Sequence, residues 1–125
     1  MVLLLKKKIN MNQEQLLTHH KQLCSEAFEL MKKKNHDYAG KDGTTPFANF
    51  EKAEMMGLCS TESGMMVRIL DKISRITTYI DAGELKVENE GYNDAVIDLI
   101  NYLVLFSGYI KSKDRKAPKF PKRVG

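Results

Sequence analysis

Residues 93–111 read NDAVIDLINYLVLFSGYIK, and this stretch decides the fold. Val96, Leu99, Ile100, Leu103, Val104 and Ile110, with Ser107 among them, recur at helical spacing and make a wide apolar face. The opposite side carries Asp94 and Asp98 but continues as Tyr102, Leu105 and Tyr109, so apolar groups occupy nearly the whole circumference. A helix of that kind is normally buried. Asp98 and Asn101 are therefore expected to face a covered cleft rather than water. Glu90, Asp94 and Asp98 stand four residues apart and can stack along one face. Like charges at that spacing repel unless a cation compensates, and a divalent metal or facing Lys and Arg side chains would do so.

Working outward, the same periodicity predicts three further helices. The first runs from Asn12 to Lys34, opened by Asn12 and Gln15 as a capping box and lined by Leu16, Leu17, Leu23, Ala27, Phe28 and Met31. Lys32, Lys33 and Lys34 fall in its last turn, where cations suit the helix dipole. A short helix follows over Phe47–Met56 and ends at Gly57. Another long one spans Glu62–Ala82, with Ser60 or Thr61 as cap and Gly83 as stop. Its apolar face is Met66, Ile69, Leu70, Ile73, Ile76, Thr77 and Ile80. Arg68, Asp71, Lys72, Arg75 and Tyr79 lie on the other side. That polar side is solvated in a monomer and becomes a site only when another helix or subunit covers it. With no alternating strand segments and no repeats, the expected fold is an all-α bundle of three long helices and one short one, completed by oligomerisation.

A chain of 125 residues, 42% hydrophobic and 29% charged, fits one ordinary globular domain. Cys24 and Cys59 stand alone, without the spacing of a zinc site, and read as thiols in a reducing compartment. No run approaches the roughly 20 apolar residues of a membrane span. The order at the start, Val2 to Leu5 ahead of Lys6 to Lys8, reverses that of a secretory signal. The chain is accordingly read as cytoplasmic, with no membrane partner. Residues 1–11 are read as a flexible arm, 12–111 as the domain, and 112–125 as a flexible basic tail. The net charge of +4 belongs to that tail: residues 111–125 hold seven Lys/Arg and one Asp, leaving the rest slightly acidic. The tail admits nucleic acid as a partner, but a solubilising role is favoured over it.

Three polar clusters carry the chemistry. They are Lys34-x-x-Asp37-Tyr38, Arg68-x-x-Asp71-Lys72-x-x-Arg75, and the run from Glu90 through Asp94 and Asp98 to Asn101-Tyr102. Carboxylates one turn apart suit Mg²⁺ or Mn²⁺, which take oxygen ligands, keep several waters and bridge phosphate oxygens. Asp71, Asp94 and Asp98 are the candidate metal ligands, with Glu90 and Asp98 as the catalytic acids. Lys34, Arg68, Lys72 and Arg75 suit phosphate. Asp37, Tyr38, Phe47, Asn49, Phe50, Asn101 and Tyr102 supply stacking faces and hydrogen bonds for a base and its sugar. Each residue alone has a plainer reading: ion pairs along one helix for Asp71 with Arg68 or Arg75, a helix start for Asp94, core for the phenylalanines. The Gly- and Thr-bearing loop from Asn35 to Pro46 lacks P-loop spacing. His19, His20 and His36 form no nucleophilic triad.

In order and spacing these clusters resemble the nucleotide modification associated domain family of phages and bacteria. That pattern is K-x-x-D-Y-[GA], an aromatic-Asn-Phe element, R-x-x-D-K-x-x-R and E-x3-D-x3-D-L-x-N-Y. Here it stands as Lys34 to Ala39, Phe47 to Phe50, Arg68 to Arg75 and Glu90 to Tyr102, within residues 20–110. More distantly the arrangement is similar to the MazG-like all-α nucleotide pyrophosphohydrolases. That likeness implies Mg²⁺, a nucleoside triphosphate substrate and a homodimer or homotetramer. Asp98 matches the last acid of the second MazG-like motif, whereas Ala95 and Arg68 stand where acids would be. The resemblance leaves two readings: a Mg²⁺-dependent hydrolase of nucleoside triphosphates, or a nucleotide-binding or accessory module without turnover.

Overall fold

The computed structural model describes residues 10–38, 45–82 and 91–113, the side chains of 36–38 excepted. These residues fold as four helices: α1 (Gln13–Tyr38), α2 (Ala48–Met55), α3 (Thr61–Ala82) and α4 (Tyr92–Lys113). α4 packs between α3 and α1, and α2 lies on α3. α3 and α4 run antiparallel. Glu62 at the start of α3 takes Lys113 at the end of α4 at 2.9 Å, and near the other end the Tyr79 and Tyr92 rings lie 4.9 Å apart. The arm over 1–9, the loop over 39–44, the connector with Gly83 and Glu90, and residues 114–125 of the tail lie outside the described residues.

Local chemistry sets the helix ends. Asn12 and Gln15 cap α1 reciprocally, each backbone N–H donating to the other's side-chain oxygen at 2.8–2.9 Å. α1 then continues past Lys34 to Tyr38, so the lysine run is not its last turn. α2 closes on Gly57, whose φ of 76° is left-handed, with Gly57 N–H donating to Glu54 O and Leu58 N–H to Ala53 O. At the start of α3, Ser60 Oγ accepts from Ser63 N–H at 3.0 Å. Thr61 donates both its N–H and its hydroxyl to Glu54 Oε1, at 2.8 and 2.7 Å. Those two bonds hold the Glu54 carboxyl below its ordinary 4.5 and tie α2 to the positive end of α3.

The buried apolar residues are Ala27, Met65, Ile69, Ala95 and Leu105. This corrects the faces expected for α3 and α4. On α3 the covered side runs through Met65 and Ile69 toward Lys72, whereas Met66, Leu70, Ile73 and Ile80 of the expected apolar face are exposed. On α4, Ala95 and Leu105 are covered and Leu103 and Val104 are exposed. The cause is that α4 lies along the polar flank of α3, where Lys72 and Asp98 meet. The expectation that no segment reaches membrane-span dimensions is corrected too. α4, at 22 residues, is long and apolar enough by length and composition, because Leu99 to Ile110 holds no charged residue.

Candidate functional site

The site is built on the seam between α3 and α4. Lys72 Nζ lies 3.1 Å from Asp98 Oδ2 and 4.0 Å from Asp71 Oδ2, so one ammonium serves two carboxylates. Arg75 Nε reaches the same Asp71 oxygen at 3.5 Å. The Lys72 side chain is 14% exposed and that of Asp98 26%, which places this pair well inside the seam. One turn back on α3 is Arg68, and one turn on along α4 is Tyr102. Arg68 Nη1 donates to the Tyr102 hydroxyl at 3.1 Å, and its guanidinium sits 5.8 Å from the ring centre. Two polar rungs therefore cross between antiparallel helices, Arg68 with Tyr102 and Lys72 with Asp98.

Two cavities flank Tyr102. The larger, about 280 Å³, opens among α2, α3 and α4, with Asn49, Phe50, Cys59, Gly64, Arg68 and Tyr102 on its wall. Phe50 and Tyr102 meet edge to face, ring centres 6.3 Å apart, and form an aromatic corner. The smaller, about 20 Å³, lies between α1 and α4 against Lys34, Asp98, Asn101 and Tyr102. Its volume is that of roughly one water molecule. Lys34 and Asp98 thereby line the same small cavity, on the α1 side of the seam.

The structure thus gathers Lys34, Asn49, Phe50, Arg68, Lys72, Asp98, Asn101 and Tyr102 around the seam, with Asp71 and Arg75 at its outer edge. Asn101 is braced, donating its amide N–H to Ala27 O at 3.0 Å and so pinning α1 to α4. Phe47 is not brought in; it packs edge to face on Tyr109 at 5.4 Å, beside Gly108. Asp94 is exposed and makes no ion pair among the described residues. The side chains of Asp37 and Tyr38, and Glu90 entirely, lie outside the described residues. Among the described residues no three His, Cys, Asp or Glu side chains cluster as metal ligands. Gly64 and Val67 line the larger cavity without having been singled out by sequence, and Cys59, read there only as a lone thiol, lines it too. For Gly64 the sequence offered only a small residue in the first turn of an expected helix.

No protein-family model matches the chain, and no curated protein or solved structure matches it either.

Proposed function

We propose that this chain binds a nucleoside or deoxynucleoside triphosphate with Mg²⁺ or Mn²⁺ and hydrolyses one of its phosphoanhydride bonds. The observation that carries the reading is the pair of rungs. They draw residues from two separate sequence clusters to one seam beside a cavity of about 280 Å³, and Lys34 of the third lines the smaller cavity on the Asp98 side. The base enters that cavity against Phe50 and Tyr102, and the phosphates run along the seam toward Lys72, Arg75 and Lys34. A base-sized cavity next to a cationic seam has the shape such a ligand requires.

Asp71 and Asp98 already share one cation, the Lys72 ammonium. This pair of hard carboxylates suits Mg²⁺ or Mn²⁺, which keep several waters, while Asp94, a turn away on α4, does not cluster with them. Bound there, the ion would polarise a phosphoryl oxygen and acidify a water. Lys72 would then be free of the carboxylates and could pair with a phosphate oxygen. Glu90, eight residues before Asp98 in sequence, is the base proposed to take the water's proton as the phosphorus–oxygen bond to the leaving phosphate breaks.

The Lys72–Asp98 pair also favours a second reading, binding without turnover, since the Lys72 ammonium itself balances the Asp98 carboxylate at 3.1 Å. The order of motifs, which resembles the nucleotide modification associated family, is compatible with either reading. A second copy of the chain is the proposed occupant of the uncharged stripe Met66, Leu70, Ile73 and Ile80, which a two-fold axis would set against itself.

The deciding experiment incubates the protein with each NTP and dNTP in Mg²⁺ or Mn²⁺ and resolves the products, with Asp98→Asn in parallel. Metal-dependent formation of NMP or NDP, lost in the variant, is the expected result. Thermal stabilisation by nucleotides without any product selects the binding module. Neither product nor stabilisation removes the nucleotide reading.

A further inference from the structure

We infer that the larger cavity selects nucleobases that present a carbonyl edge (uracil, thymine or guanine) over the amino bases cytosine and adenine, and that Arg68 is the residue that reads them. This rests on the nucleotide-binding reading above and goes beyond it by naming the ligand class.

The argument is one of donors and acceptors. Among the described residues no carboxylate lines the cavity. Of the cations along the site face of α3, Lys72 is held by Asp98 and Arg75 by Asp71, whereas Arg68 has no carboxylate partner among the described residues. One guanidinium N–H goes to the Tyr102 hydroxyl. Arg has five such donors in a planar fork, so most remain for a ligand at the cavity edge. The same bond polarises Tyr102. Its oxygen accepts from Arg68, its own hydrogen is left to donate, and among the described residues no protein group takes that hydrogen. Cys59 adds a thiol, itself a weak donor, and Asn49 an amide that serves in either orientation. The wall is therefore rich in donors and poor in obligate acceptors. The O4 edge of uracil or thymine and the O6/N7 edge of guanine satisfy it. The N4 amino group of cytosine or the N6 amino group of adenine on that edge sets donor against donor where the ligand covers the wall, which is the costly case.

The floor leaves room for the ring. Gly64 lies in the first turn of α3, and a Cβ there would sit 3.8 Å from both Cys59 Sγ and Phe50 Cδ1, ordinary contact distance. Bulk at this position therefore grows into the cavity without forcing the backbone, so Gly64 works as a size control separate from the donors.

The test is calorimetric titration of the full chain, in Mg²⁺, with the triphosphates of uridine, thymidine, guanosine, cytidine and adenosine, and with inorganic tripolyphosphate. The expected result is tighter binding of the three carbonyl bases by roughly tenfold or more over the amino bases. Arg68→Lys keeps the charge and loses the fork, so the ratio between the two groups falls toward one. Gly64→Leu weakens every nucleotide relative to tripolyphosphate. Equal affinity for all bases, or preference for an amino base, overturns the inference while leaving the nucleotide reading in place. So does an Arg68→Lys variant that loses affinity equally for every base, because the guanidinium then serves phosphate. Failure of tripolyphosphate and all five nucleotides to bind overturns both.

Discussion

Lys72 shows what a single side chain does when a neighbouring helix takes it out of water. Its ammonium is strongly hydrated when free, and along the seam it exchanges that hydration for Asp98 at 3.1 Å. Removing one partner leaves the other half-desolvated and uncompensated. Lys72→Met and Asp98→Asn are each expected to cost about 1–2 kcal/mol, between an exposed and a fully buried pair. The double variant should recover part of the loss, and denaturant unfolding of all four proteins measures the coupling. If the two single losses simply add, the pair is no more than a surface contact. Glu54 gives a pH prediction of definite sign. Its folded carboxyl titrates below 4.5, so the stability it confers is fully present above pH 4.5 and is lost as pH falls through the lower folded value. Glu54→Gln should therefore melt below wild type at neutral pH, and the gap between the two should close as pH falls below 4.5 through the lowered folded value. This cap was hidden in the sequence because Glu54 and Thr61 are seven residues apart, beyond the spacing of a local capping box. Asn12 and Gln15, three apart, were legible for the opposite reason.

Among the elements, α3 separates what periodicity can and cannot tell. Its apolar residues span so broad an arc, from Met65 through Met66, Val67, Ile69 and Leu70, that the repeat identifies a helix without fixing which edge is covered. The neighbour decides, and α4 comes to the polar flank because Lys72, Arg68, Asp98 and Tyr102 complement one another across it. That is also why the residues that meet across the seam could be named from spacing while Gly64, Cys59 and Val67 could not. They line the larger cavity because α2 folds back beside them. Two adjacent methionines make the rotation of α3 measurable. Met65 is 0% exposed and Met66 42%. Met65→Ala should cost about 2–5 kcal/mol and Met66→Ala well under 1 kcal/mol in equilibrium unfolding. Equal losses would place the covered edge of α3 elsewhere.

For the whole molecule the outstanding fact is how much apolar surface four helices leave uncovered. Met66, Leu70, Ile73 and Ile80 on α3 and Leu103 and Val104 on α4 all face outward. Scattered apolar residues on a surface are ordinary, but a stripe on a single helix face is the mark of an interface. Leu70, 56% exposed, is one turn from both Met66 and Ile73 along this stripe. Leu70→Glu should convert the proposed oligomer to monomer in sedimentation and remove the dependence of melting temperature on protein concentration. Wild type that sediments as a monomer at every concentration would end the two-fold proposal.

The cap at Asn12 and Gln15 has one more consequence. From Asn10 to Gln22 every residue of α1 and its approach is exposed, so these first turns rest on backbone hydrogen bonds and that reciprocal cap. Amide hydrogens there exchange with solvent through local fraying, on a clock separate from that of the seam, where exchange waits for larger openings. The two ends of one continuous helix therefore keep different time. The boundary between them falls where Leu23 and Ala27 first meet cover, so the protection measured along α1 marks residue by residue how far the bundle's grip extends.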